Sequence, residues 1–115
     1  MPSGRRNPPK PDPSPTDDLR SVFGRRLRAA RERAGLSQER MAVVAGIDEF
    51  VASARISQYE TGKHQPRYEI AVRLAAVLDV PVGYLFTDDD VTAEMLLRWH
   101  ALPGATRRAM IEAMQ

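Results

Sequence analysis

The feature that most constrains this sequence is a series of short amphipathic segments, three of which are ended by a glycine. Within each segment apolar residues recur at the spacing of a helix, and Gly35, Gly46 and Gly62 follow where helices commonly end. No stretch indicates a β-strand. At 115 residues the chain is long enough to bury a helical core without disulfide or metal support. The pattern therefore predicts an all-α domain.

The apolar periodicity predicts five helices before residue 87. They comprise residues 18–34, residues 38–45 with Ser37 as N-cap, a third helix ending near Thr61, residues 68–78, and one or two turns from Pro81 to Phe86. The start of the third helix stays open, because either Asp48 or Ser53 could be its N-cap. One or two further short helices are predicted around Trp99 and Ile111.

Composition divides the chain into three parts. Residues 1–16 contain six of the nine prolines and predict a disordered basic arm, either a solvated tail or a contact to a phosphate backbone. Residues 17–86 form the predicted helical domain, and residues 87–115 form its helical extension. Net charge falls from +5 over residues 1–35 to −3 over residues 79–115. The basic residues are mostly arginine, which favours phosphate recognition or reflects only the base composition of the genome.

Catalytic and metal-binding functions find little support in the sequence. The chain has no cysteine and only two histidines, His64 and His100, and neither stands in a catalytic or zinc-binding spacing. The acidic run Asp88–Asp90 lacks the glycine and the distal glutamate of a calcium loop. We therefore expect no enzymatic activity, metal, cofactor or small-molecule ligand. The longest apolar run, Val80–Phe86, is far too short to span a membrane, so we expect a cytoplasmic protein without a membrane partner.

Three segments together resemble a known family. GLSQERMAVVAGI (35–47), ISQYETGKHQP (56–66) and RLAAVLDVPVGYLF (73–86) are similar to the Cro/C1-type (XRE-like) helix-turn-helix family of phage and bacterial repressors. The resemblance covers residues 19–86, about 60% of the chain. It implies a five-helix lambda-repressor-like bundle and a transcriptional regulator, specifically a repressor that binds double-stranded operator DNA as a homodimer.

The resemblance also assigns residues to a DNA interface. Three residues are expected to face the bases: Arg55, Ser57 and Gln58. Four are expected to touch the sugar-phosphate backbone: Gln38, Thr61, Lys63 and Arg67. Arg31 and Glu60 match a pair that in this family ties the first helix to the end of the third, which is a structural role.

The residue types agree with this assignment without requiring it. Ile56 and Tyr59 are expected to face the core, so the polar residues between and before them point outward. Arginine and glutamine side chains can form paired hydrogen bonds with guanine and adenine, respectively, in the major groove. An ordinary solvated helix face would carry the same polarity.

The chain departs from the family pattern before the third helix. Eight residues separate Ile47 from Ile56, whereas about four are common in the family. The extra residues, about one helical turn, either lengthen the third helix at its N-terminus or form a longer turn before it. Base-facing positions 53–55 are therefore less secure than Ser57 and Gln58, which are counted back from the end of the helix.

The C-terminal extension leaves a second function class open. Since the five-helix core is complete by Phe86, we expect apolar residues after it to form a dimer interface or to pack back on the same monomer. The residues concerned are Leu96, Trp99, Leu102 and Ile111. The alternative to a DNA-binding regulator is a protein-interaction module, such as an antitoxin-like or accessory subunit, that holds a partner through these helices or the helix-turn-helix surface.

Overall fold

The computed structural model describes residues 15–115, with side-chain surroundings from Val22 onward. The predicted disordered arm lies outside the described residues, apart from its last two positions, which begin the first helix. The helices are α1 (Pro15–Arg33), α2 (Gln38–Val44), α3 (Ala52–Glu60), α4 (Tyr68–Leu78), a 3-10 helix (Val82–Phe86), α5 (Asp90–His100) and α6 (Gly104–Ala113). Residues 15–115 contain no strand. The all-α prediction is confirmed, with two helices following the five-helix bundle.

Each helix of the bundle contributes at least one large side chain to a single core. The largest fully buried side chains are Phe23 and Leu27 from α1, Met41 from α2, Ile56 from α3, Leu74 from α4 and Leu85 from the 3-10 helix. A helix of two or three turns is marginal in water alone, so this shared core is what stabilises α2 and α3. None of the helices in residues 15–115 is long and apolar enough to cross a membrane.

Helices α1, α2 and α3 end as the glycines predict. At the end of α3, for example, Gly62 has a φ of +79°. Its N–H donates to the Tyr59 carbonyl at 3.3 Å, and the Lys63 N–H donates to the Gln58 carbonyl at 2.9 Å. This pattern satisfies carbonyls that the last turn would otherwise leave unpaired, and it turns the chain sharply away from the helix axis.

The start of α3 differs from both alternatives open in the sequence. Val51 occupies the N-cap position and makes no side-chain capping bond, so neither Asp48 nor Ser53 is the N-cap. Instead Asp48 orders the turn before the helix: its carboxylate accepts the Phe50 N–H at 2.9 Å, and its carbonyl accepts the Val51 N–H at 3.1 Å. The extra residues therefore form a longer turn between α2 and α3 and do not lengthen α3.

The C-terminal extension packs on the bundle mainly through α5. Ala93 is buried in the core cluster, and Leu96 and Leu97 pack against it. Asp89 caps α5 by accepting hydrogen bonds from the hydroxyl and N–H of Thr92, and these bonds lower the pKa of Asp89. Helix α6 has no buried residue.

Candidate nucleic-acid interface

Helices α2 and α3 form a braced pair whose outer side is polar. Helix α3 buries Ala52, Ile56 and Tyr59 against the rest of the bundle. Ala54 and Arg55 are exposed to solvent, and Ser57 and Gln58 are half-buried. A helix held along one side in this way can present the other side to the major groove of DNA, which is wide enough to admit it.

A groove of about 800 Å³ runs beside the outer side of α3. Its walls are the turn before α3, the helix itself and the loop that leads to α4. Arg55, Gln58 and Arg67 all line it, so the structure brings two expected base-contacting residues next to an expected backbone-contacting residue. His64 and Gln65 line it too; the sequence reasoning did not select them, although they directly follow Lys63.

The other residues expected at the interface surround this groove. Lys63 is exposed in the loop that follows α3. Thr61 directs its hydroxyl proton to the Ser57 carbonyl at 2.8 Å, so in this arrangement its oxygen can accept a further hydrogen bond but not donate one. Ser57 does not line the groove.

Arg31 and Glu60 form a shielded ion pair that joins α1 to the end of α3. Arg31 Nε lies 2.6 Å from Glu60 Oε2, and Arg31 Nη2 lies 3.2 Å from Oε1, so the pair is bidentate. The two side chains are only 14% and 5% exposed, respectively. The hydrogen bond donated to Glu60 raises the pKa of Arg31 above its ordinary value, although burial acts in the opposite direction.

Gln38 extends this ion pair into a network that spans three helices. Its side-chain amide donates to Glu60 Oε1 at 3.2 Å, and its carbonyl oxygen accepts the Ser53 hydroxyl at 3.4 Å. An amide group has two N–H donors, so one donor stays free for a phosphate. The network fixes the orientation of that donor, because both ends of the Gln38 side-chain amide are held. Ser53 was not expected in this role.

Two structural residues that support the site were missed from sequence. Arg26 is buried and donates to the Thr87 carbonyl at 3.0 Å and to Asp90 Oδ1 at 2.8 Å, which attaches α5 to α1. Gly24 lies where α1 meets the end of α3: an added Cβ would stand 2.8 Å from the Glu60 carbonyl carbon and 2.9 Å from the Tyr59 oxygen. The sequence indicates the structural role of Arg26 only through its position on the apolar face of α1.

A second surface, formed by α5 and α6, is apolar. Met95, Trp99, Leu102 and Met110 line an open depression of about 310 Å³. Ile111 lines a neighbouring depression of about 330 Å³ together with Trp99. Three of the four residues expected at a dimer interface thus lie around these depressions, whereas Leu96 packs against the core cluster.

The comparisons with known proteins agree with this geometry. A family model described as a helix-turn-helix domain matches residues 22–83, which is just over half of the chain and includes all the residues that line the groove. The crystal structure of transcriptional regulator BswR superposes with a TM-score of 0.73 at 41% sequence identity, over 79% of this chain and 90% of that chain. A comparison with curated proteins found no match.

Proposed function

Because the chain belongs to the helix-turn-helix family, it is a DNA-binding regulator, and we propose that it is a repressor that binds operator DNA as a homodimer. The observation that carries this proposal is the groove in which Arg55, Gln58 and Arg67 converge beside the exposed side of α3. A protein bound to an operator that overlaps a promoter can block transcription without any further contact, whereas activation needs one. We place the protein with its DNA in the cytoplasm.

The residues divide into base-reading and backbone-holding sets. Gln58 can donate to adenine N7 and accept from adenine N6, and Arg55 can donate to guanine N7 and O6, with Ser57 as a smaller contact beside them. Gln38, Lys63 and Arg67 hold the sugar-phosphate backbone beside the groove and so fix the register of α3. Thr61 joins them when its hydroxyl turns from the Ser57 carbonyl, to which it donates in the DNA-free protein, toward a phosphate. Arg31 and Glu60 keep α3 in place and do not touch DNA.

The homodimer part of the proposal rests on the α5–α6 surface. An apolar face of this kind on two copies can pair about a two-fold axis, which would present two α3 helices to successive turns of the major groove. Two readers double the number of base contacts, and a single small module makes few. The operator is then expected to have two similar half-sites with centres about 34 Å apart.

The test is selection of binding sites from random duplex DNA, followed by footprinting and a salt titration on the selected site. We expect a pseudo-palindromic site, and we expect the logarithm of the affinity to fall steeply with the logarithm of salt concentration because phosphates are neutralised. Random DNA that yields no preferred site would contradict the proposal.

The apolar α5–α6 surface also favours a second candidate function, a protein-interaction module. In that case the affinity for duplex DNA would be weak and would not favour any sequence, while a partner protein would cover Met95, Trp99 and Met110. The same selection experiment separates the two candidates, because only the regulator enriches one site.

A further inference from the structure

The turn before α3 carries an aromatic side chain that no part of the fold uses. Phe50 is 90% exposed, more than any other large apolar residue among those whose surroundings the structure describes. A phenylalanine side chain has a large apolar area. Burial of the Phe50 ring against a partner would therefore contribute a substantial favourable hydrophobic free energy, which the isolated protein does not gain.

The backbone at Phe50 is held in place. The Asp48 carboxylate accepts the Phe50 N–H, and the Asp48 carbonyl accepts the next N–H along the chain, that of Val51. The turn is thus ordered by two hydrogen bonds, and the phenyl ring is presented from a fixed point directly before α3.

The turn that carries Phe50 borders the groove beside α3. Asp48 and Val51, on either side of Phe50, both line the groove that also contains Arg55 and Gln58. The first residues of a recognition helix are those that reach the base edges, so we expect Phe50, two residues before α3, to approach the bases.

The residues of the turn limit which part of DNA Phe50 could contact. A phenyl ring makes no hydrogen bond to a phosphate, and the neighbouring carboxylates of Asp48 and Glu49 repel phosphates. The apolar group that the major groove offers is the C5-methyl of thymine, against which phenylalanine is a known type of contact. We propose that Phe50 is a specificity-determining residue that packs on a thymine methyl in each half-site. This inference rests on the proposed function.

The experiment removes single methyl groups from the selected operator. In each duplex one thymine is replaced by deoxyuridine, which lacks only the C5-methyl, and affinity is measured for the wild-type protein, Phe50→Ala and Met114→Ala. Met114 is 82% exposed and lies outside the helix-turn-helix, so its variant is a matched control for loss of exposed apolar surface. At one thymine per half-site we expect the affinity of the wild type to fall about four-fold, because burial of one methyl group contributes about 0.8 kcal/mol.

Only Phe50→Ala should lose its sensitivity to the thymine methyl group. Met114→Ala should lose affinity on deoxyuridine substitution as the wild type does, and Phe50→Ala should bind the thymine and deoxyuridine duplexes equally. Both variants should melt at the wild-type temperature, because both side chains are exposed. A selected site with equal deoxyuridine effects in the wild type and Phe50→Ala overturns this inference alone, whereas the absence of any selected site overturns the proposed function and the inference with it. A change in the mass of DNA-free Phe50→Ala would place the ring against another protein copy, which also overturns the inference.

Discussion

At the scale of single residues, Arg31 and Glu60 hold α3 in place, and a hydrogen bond joins Gln38 to this pair. Glu60 accepts hydrogen bonds from both other side chains and is almost wholly shielded from water. Removal of one partner leaves a shielded charge without compensation, and this penalty is larger than the net contribution of the intact pair. The network therefore fixes where α3 stands more than it adds to stability.

We expect Glu60→Ala to lower the free energy of unfolding by about 3 kcal/mol, because Arg31 then keeps its charge without a partner. Urea denaturation measures this change. The matched control is Arg28→Ala, which breaks an exposed pair with Glu32 and should cost less than about 0.5 kcal/mol. Unchanged stability in Glu60→Ala together with a collapse of DNA affinity would show that Glu60 acts at the DNA and not in the fold.

The raised pKa of Arg31 determines how this contribution depends on pH. A basic group whose pKa is higher in the folded than in the unfolded state contributes stability that is fully present below the unfolded value and is lost only as pH rises through the folded value. Both values lie far above neutrality. The difference in stability between the wild type and Arg31→Ala should therefore stay constant in urea titrations from about pH 6 to about pH 9.

Gln58 and Arg67 line the same groove but should differ in what their removal does. Gln58→Ala should relax the preference at one base pair per half-site, with a loss of about 1 to 3 kcal/mol in discrimination. Arg67→Ala should weaken binding to all sequences and make the salt slope shallower by about one. Competition between operator variants, repeated over a salt series, measures both effects. If Gln58→Ala lowers affinity equally for every sequence, the base-reading position lies nearer the start of α3, toward Ser53 and Arg55.

At the scale of elements, the sequence predicts helix ends better than helix starts. Gly35, Gly46 and Gly62 mark the ends of α1, α2 and α3 because a residue at positive φ is needed there. Helix α4 ends instead at Asp79, which adopts a φ of +54°, and the sequence offers no glycine to mark it. The start of α3 could not be predicted, because it lacks a side-chain cap and is set by the turn that Asp48 orders.

Of the candidate site, the sequence could predict that Arg55, Gln58 and Arg67 lie near one another, but it could not predict the hydrogen-bond network behind them. Counting back from Gly62 selects Gln58, and the structure places it in the groove. The contacts of Gln38 with Glu60 and Ser53 depend on how three helices meet. Periodicity along one helix carries no information on such contacts, so they require the assembled bundle.

The close approach of α1 to α3 gives a test at this scale. Gly24→Ala would ordinarily favour a helix by about 1 kcal/mol, but here the added methyl meets backbone atoms of Tyr59 and Glu60. We expect a net loss of about 1 to 3 kcal/mol in unfolding free energy, with weaker DNA binding because the end of α3 is displaced.

The control for this substitution is Gly83→Ala. Gly83 lies in the 3-10 helix with no atom near the place of a Cβ, so its stability should stay at or slightly above that of the wild type. Thermal melting of the two variants side by side gives the comparison. Equal melting temperatures would mean that α1 and α3 can separate without cost.

At the scale of the whole molecule, the two candidate surfaces differ in chemistry. The groove side carries Arg55, Lys63 and Arg67, whereas α5 and α6 present an apolar depression, and residues 79–115 have a net charge of −3. A charge difference of this kind orients a protein as it approaches DNA and keeps the acidic end away from the phosphates. Under the proposed function, the C-terminal helices would be free to hold a second copy while α3 lies in the major groove.

The α5–α6 surface should then decide the oligomeric state. We expect Met95→Glu to raise the dissociation constant of the homodimer about 30-fold or more, because the wild-type methionine contributes about 2 kcal/mol on burial and the new carboxylate would have to be desolvated. Val72→Glu is the matched control: Val72 on α4 is 40% exposed and Met95 is 48% exposed, and Val72 lies outside the depression.

Sedimentation equilibrium at tens of micromolar, with and without operator, measures the mass of each variant. The wild type and Val72→Glu should be dimeric and Met95→Glu should be largely monomeric with unchanged melting, and its operator affinity should fall because the two half-sites are no longer bound together. A wild-type mass that stays monomeric even on the operator would contradict the dimer and leave the α5–α6 surface to a different partner protein.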